Sequence, residues 1–106
     1  MIEYPLFVFD GFDLDIFLSE SGVGSLEHQD IERGVYRCFD DKGYCVRLEI
    51  KRNILRLHRE ELCVAEFHDA LRASLELAKS LPPQETNIEE LKTRARRIFD
   101  VYGTRD

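Results

Sequence analysis

Apolar and polar positions alternate with a period of two through most of the first sixty residues, and then switch to helical spacing. Residues 6–18 read as a β-hairpin, because Phe7, Phe9, Phe12, Leu14 and Ile16 share one face while Asp13 and Asp15 fall together on the other. Asp10-Gly11 is a two-residue type I′ turn signal that pairs Phe9 with Phe12, Val8 with Asp13 and Phe7 with Leu14. Residues 19–30 fit a short helix capped by Ser19 or Ser21 and weakened by Gly22 and Gly24, with Leu26 and Ile31 as anchors to the core. Residues 35–50 predict a second hairpin about Asp40-Asp41-Lys42-Gly43. Its inner face is Val35, Phe39, Tyr44, Val46, Leu48 and Ile50, and its outer face is Tyr36, Cys38, Cys45, Arg47 and Glu49. That register sets Cys38 directly across from Cys45. A further strand over 54–58 follows a turn at Lys51-Arg52-Asn53, with Leu55 and Leu57 inward and Arg56 and His58 extending the outer face.

Over 63–81 the stripe Val64, Phe67, Leu71, Leu75, Ala78 and Leu81 predicts a helix, stopped by Pro82-Pro83. A second helix over 87–102 opens at Thr86 or Asn87 with Glu89 or Glu90 completing a capping box. Its stripe is Ile88, Leu91, Ala95, Ile98, Phe99 and Tyr102, and Gly103 follows its end. The expected architecture is one α+β domain over 1–106: an antiparallel sheet of about five strands, two hairpins plus one strand, with two C-terminal helices packed on one face. The other sheet face stays at least partly open to water or to a partner.

At 106 residues, 43% hydrophobic and 34% charged, the chain is ordinary globular material for one core. No apolar run approaches the length of a membrane helix, and the start lacks the pattern of a secretory signal, which together imply a cytoplasmic protein with no membrane partner. The three cysteines, Cys38, Cys45 and Cys63, have no CxxC spacing, so their sequence spacing suggests neither a disulfide framework nor a zinc site. In a cytosolic chain Cys38 and Cys45 are expected as free thiols, with a strained disulfide as the alternative.

Charge changes the picture more. Residues 1–46 carry ten acids against three bases, a net of −7, whereas residues 47–106 carry +1. An acidic face repels nucleic acid and attracts basic protein surfaces. The candidate partner-binding residues are therefore Asp10, Asp13, Asp15, Glu27, Asp30, Glu32, Asp40 and Asp41, with Tyr36 as an aromatic anchor. A second candidate surface is the outer sheet face, where Tyr36, Arg47, Glu49, Arg56 and His58 mix aromatic and charged groups. The basic group Lys92, Arg94, Arg96 and Arg97 reads as a solvated helix face. No catalytic residues, cofactor or metal ligand set are expected: the histidines have no partner in a catalytic order, and no phosphate loop accompanies the carboxylates. Phe9-Asp10-Gly11-Phe12-Asp13 departs from the acidic strand-end motif of haloacid-dehalogenase phosphatases, since its Gly comes too early and the Thr is missing.

Two stretches carry a resemblance. They are Phe9 through Phe17, and Leu26-Glu27-His28-Gln29-Asp30 through Gly34-Val35-Tyr36, Phe39-Asp40-Asp41-Lys42-Gly43-Tyr44 and Arg47-Leu48-Glu49-Ile50. Over about residues 6–58 this layout resembles small bacterial immunity proteins of polymorphic-toxin loci, including contact-dependent growth inhibition systems. The resemblance implies a cytoplasmic, non-enzymatic inhibitor of one cognate, basic toxin, with a nuclease as the expected target, and it transfers no residue role. The alternative is a small regulatory or adaptor domain that self-associates through its open sheet face or last helix. A metal-dependent enzyme built on the Asp13 and Asp15 carboxylates ranks behind both. The oligomeric state is not set by the sequence.

Overall fold

The computed structural model describes residues 1–81 and 87–103. The strands are β1 (Leu6–Asp10), β2 (Asp13–Phe17), β3 (Tyr36–Phe39), β4 (Tyr44–Lys51), β5 (Ile54–Leu62) and β6 (Asp100–Tyr102). The helices are α1 (Glu20–Val23), α2 (His28–Arg33), α3 (Val64–Leu77) and α4 (Ile88–Ile98). The fold is α+β, as expected, but the sheet has six strands in the order β5-β4-β3-β1-β2-β6, and β6 runs parallel to β2. Among the described residues no helix is long and apolar enough to cross a membrane.

Both sheet faces are packed, each by a different set of helices. On one face Phe7, Phe9, Leu14, Ile16 and Phe39 meet Phe67, Leu71 and Leu75 of α3 and Leu91 and Ala95 of α4. Phe67 sits at the centre of this layer, with ring centroids 5.0 Å from both Phe7 and Phe39. On the opposite face Leu6, Val8, Phe17, Cys38 and Val46 form a second layer with Val23 of α1, flanked by Ile2, Tyr4 and Leu26. α2 lies against β4 on that side and buries Ile31. The face expected to be open is thus covered over the middle of the sheet.

Three local readings are corrected. In the first hairpin Phe9 pairs with Leu14 and Asp10 with Asp13, so the two-residue turn is Gly11-Phe12 rather than Asp10-Gly11. Only Gly11 takes positive φ (62°), as a turn with Gly at its first central position allows. Phe12 therefore leaves the core and is 56% exposed at the hairpin tip. The turn with both central residues at positive φ lies instead at Arg52 (54°) and Asn53 (64°), between β4 and β5. In the second hairpin Cys38 pairs with Val46 and Phe39 with Cys45. A one-residue change of register sends every side chain to the other face, so Cys38 and Cys45 face opposite ways and no disulfide joins them. Val46 and Leu48 pack on the α1 side rather than beside Phe39.

The last helix is shorter than the expected 87–102. Asn87 caps it by accepting from the Glu90 N–H at 3.0 Å, and it ends at Ile98, after which the chain turns into β6. α3 ends at Leu77, with Lys79 left-handed (φ 56°) and the Ser80 N–H donating to Leu75 C=O. Pro82, Pro83 and Thr86, which were expected to stop one helix and start the next, lie outside the described residues.

One buried charge organises the β3–β4 turn. Asp40 is fully buried. Its Oδ1 accepts from the Lys42 and Tyr44 N–H groups at 3.0 Å each, and its Oδ2 accepts from the Glu3 N–H at 3.3 Å. The Arg59 guanidinium lies 3.6 Å from Oδ2 and stacks on the Tyr44 ring at 3.5 Å. A carboxylate removed from water survives only with such a full set of donors. Gly43 closes the turn at φ 90°, where an added Cβ would meet Val64 at 2.8 Å. Asp40→Ala leaves those N–H groups without their acceptor and Arg59 with only the Met1 C=O, and is expected to lower unfolding free energy by about 3 kcal/mol. Urea denaturation measures it; a loss below about 1 kcal/mol would mean that the carboxylate does not hold this turn.

Candidate functional site: an acidic sheet end

Strand pairing gathers four carboxylates at one end of the sheet. Asp10 is opposite Asp13 in the β1–β2 ladder, and Asp15 is in register with Asp100 in the parallel β2–β6 ladder. Tyr36 is opposite Asp10 across β1–β3. These residues line a groove of about 350 Å³ floored by Leu14, Ile98 and Phe99. Phe12 stands exposed at the adjacent hairpin tip.

Within the described residues the groove carries acidic charge without an ion-paired base. Among the described residues no Lys or Arg forms an ion pair with Asp10, Asp13, Asp15, Asp30 or Asp100. Partial burial raises the Asp15 pKa above the ordinary carboxylate value, and the charges of Asp100, Asp13 and Asp10 raise it further. Tyr36 is likewise raised, by burial and then by Asp30 and Asp10, and its hydroxyl donates to Asp30 Oδ2 at 3.5 Å. At Tyr102 the charge of Asp15 is the leading cause of a raised pKa. Its hydroxyl donates to Asp100 at 3.5 Å and its ring stacks on Phe17.

Of the residues expected to bind a partner, Asp10, Asp13, Asp15 and Tyr36 come together here, with Asp30 joined through Tyr36. Glu27 is exposed at the start of α2. Glu32 lies apart, in a groove of about 590 Å³ shared with Arg47, Leu48 and Arg52. Asp40 is corrected to a buried structural group, since it offers no surface. Asp41 is engaged internally: Lys92 Nζ donates to its Oδ1 at 3.0 Å and to its C=O at 2.9 Å. Lys92, expected as part of a solvated basic face, is itself buried. Burial opposes its charge, but bonds to Glu89 and Asp41 outweigh this and hold its pKa above the ordinary lysine value.

The second candidate surface divides between the two faces of the sheet. Arg47, Glu49 and His58 form a paired ladder, with Arg47 3.1 Å from Glu60 and His58 3.0 Å from Glu49. Tyr36 and Cys38 belong to the other side.

Asp100 and Phe12 were missed by the sequence reading. Asp100 was hidden by extending α4 through it, although the β-prone run Phe99-Asp100-Val101-Tyr102 signalled a strand. Among the described residues no three of the clustered carboxylates bring ligand atoms within 4.8 Å of one another, so the groove is not a preformed cation cage. The chain matches no family model, no curated protein and no solved structure.

Like charges directly opposite in a sheet destabilise it. Asp15→Asn is expected to stabilise the fold at pH 7 by about 0.5 kcal/mol. Because the folded pKa of Asp15 is raised, its ionised form costs stability above that pKa, and the cost fades as pH falls through it. The advantage of Asn should vanish below roughly pH 4, where Asp15 is protonated in both states. Thermal unfolding of the two proteins across this pH range checks the sign; an Asn variant less stable at pH 7 would contradict it.

Proposed function

We propose that this chain is an immunity protein, a stoichiometric inhibitor that binds a cognate basic bacterial toxin through its acidic sheet end. The observation that carries the reading is the pair of like-charged cross-strand contacts, Asp10 with Asp13 and Asp15 with Asp100, which no Lys or Arg among the described residues pairs. A basic partner removes that repulsion on binding, so the cost to the free protein becomes a gain in the complex. Phe12 and Tyr36 supply the apolar contacts that slow dissociation, while the carboxylates speed encounter. A nuclease is the target class that fits best, because an acidic surface can occupy the place of phosphates in a basic active site. No enzymatic activity is proposed, and the cytoplasm, where such a toxin acts, is the compartment this role requires.

The second reading, a self-associating adaptor, has one observation of its own: β5 is a nine-residue strand at the edge of the described sheet, with Ile54 and Leu62 exposed. Its charged residues Arg56, Arg59, Glu60 and Glu61 are the kind that discourage edge pairing, which favours the inhibitor reading.

The test is co-expression with the product of the adjacent reading frame. Growth arrest by that product alone, relieved by this chain with recovery of a defined complex, supports the inhibitor. Normal growth with no complex, together with a concentration-dependent mass of this chain alone, supports the adaptor. Within a complex, Asp13→Lys with Asp15→Lys should slow association by about tenfold or more at low salt and flatten its salt dependence. Stopped-flow rates that do not change with the double reversal would move the contact elsewhere.

A further inference from the structure

The thiols that the sequence leaves scattered are partly reunited by the fold, in a place unrelated to the acidic groove. Cys45 lies on β4, Cys63 immediately precedes α3, and Glu66 is in the first turn of α3. Their two Sγ atoms and a Glu66 carboxylate oxygen all lie within 4.8 Å of one another. The register of β3 against β4, with the irregularity between Tyr44 and Val46, turns Cys45 toward α3. The Cys63 N–H donates to Gly43 C=O at 2.8 Å, which stitches the start of α3 to the β3–β4 turn. Cys63 makes no capping bond with its own side chain, so its sulphur is not committed to the helix end.

We propose that Cys45, Cys63 and Glu66 bind a thiophilic divalent cation, Zn²⁺ above all. Two sulphurs and one carboxylate match the ligand preferences of zinc, with a fourth, open position for water. They do not match those of Mg²⁺ or Ca²⁺, which take oxygen ligands. The sulphurs are partly buried against the main core, while Glu66 is exposed, so the ion enters from the solvent side and rests on an apolar floor. Without a cation the Cys45 thiol is held protonated. Burial pushes it up to about 12, and Cys63, Glu66 and Glu61 add to the effect. As each S–metal bond forms, its thiol proton passes to solvent, and the positive ion balances the thiolate and carboxylate charges it gathers. The occupied site clamps α3 to β4, next to the turn that Asp40 organises. Cys38 faces the other side of the sheet and takes no part, which makes it an internal control.

The experiment is titration of the reduced full chain with Co²⁺, followed by displacement with Zn²⁺. The expected result is one ion per chain, a near-ultraviolet thiolate-to-cobalt charge-transfer band, and loss of that band on adding zinc. Cys38→Ser should leave it intact. Cys45→Ser and Cys63→Ser should abolish it, with circular dichroism checking that each variant is folded. Glu66→Gln, an exposed change that spares the core, should weaken affinity by about tenfold or more. Absence of the band from the reduced wild-type chain would overturn the proposal. So would its persistence in folded Cys45→Ser and Cys63→Ser, or a Cys45–Cys63 disulfide forming in air while the reduced chain takes up no metal, the mark of a redox pair instead.

Discussion

The fold depends on a carboxylate that no solvent reaches. Asp40 accepts hydrogen bonds from the backbone of Glu3, Lys42 and Tyr44 and faces the guanidinium of Arg59. Four parts of the chain, the N-terminal segment, the β3–β4 turn, β4 and β5, thereby share one anion. The cost of burying it is met only when all the donors arrive together, so the node is cooperative by construction. Its neighbours extend the same logic. Glu3 C=O accepts from the Asp41 N–H, Gly43 C=O accepts from the Cys63 N–H, and Lys92 reaches across from α4 to Asp41. The turn is where the sheet, α3 and α4 are tied together, and the three proposed metal ligands sit beside it.

The opposite end of the sheet follows a different rule. At Asp40 a negative charge is surrounded by donors; at Asp10, Asp13, Asp15 and Asp100 negative charges face one another with no ion-pairing Lys or Arg among the described residues. The first arrangement stabilises the free protein and the second costs it stability. The contrast separates the acidic residues by role better than their positions in the sequence do: Asp40 and Asp41 differ from Asp13 and Asp15 in what surrounds them, not in type. Residues that lower the stability of the unbound fold and remain accessible are where a binding function is most economically placed.

Period-two and period-3.6 patterning made the elements legible, including the phenylalanine face of β1, the aspartate face of β2 and the core stripe of α3. Registers were less so, for a specific reason. Asp10-Gly11 and Gly11-Phe12 are both workable two-residue turns, and only the pairing of Asp10 with Asp13 decides between them. The β3–β4 register turned on Asp40, whose side-chain bonds to Lys42 and Tyr44 shape a longer turn than spacing alone suggests. That one-residue difference moved Val46 and Leu48 to a second apolar face and separated Cys38 from Cys45. Tertiary pairing likewise overrode helix patterning at Phe99 to Tyr102, where β2 offered an edge. The acidic site was half legible: Asp13 and Asp15 follow from alternation, whereas Asp100 needed the parallel pairing that no local pattern encodes.

Two packed faces constrain where a partner can dock. With α3 and α4 on one side of the sheet and α1 and α2 on the other, the broad central surfaces are spent on the core. What remains are the strand ends and the two edges. The β5 edge carries Arg56, Arg59, Glu60 and Glu61, and the β4–β5 ladder beside it pairs Arg47 with Glu60 and His58 with Glu49, so much of its charge is already engaged within the chain. The β6 edge is only three residues long. Among the described residues, the end that holds Asp10, Asp13, Asp15, Asp100, Tyr36 and Phe12 combines charge without an ion-paired base, an exposed aromatic ring and a groove. A surface that is concave, charged and hydrophobic at its rim suits a convex basic protein better than a second copy of this acidic chain. Two such ends would repel each other, so the charges proposed to draw a basic partner also oppose self-association through this site.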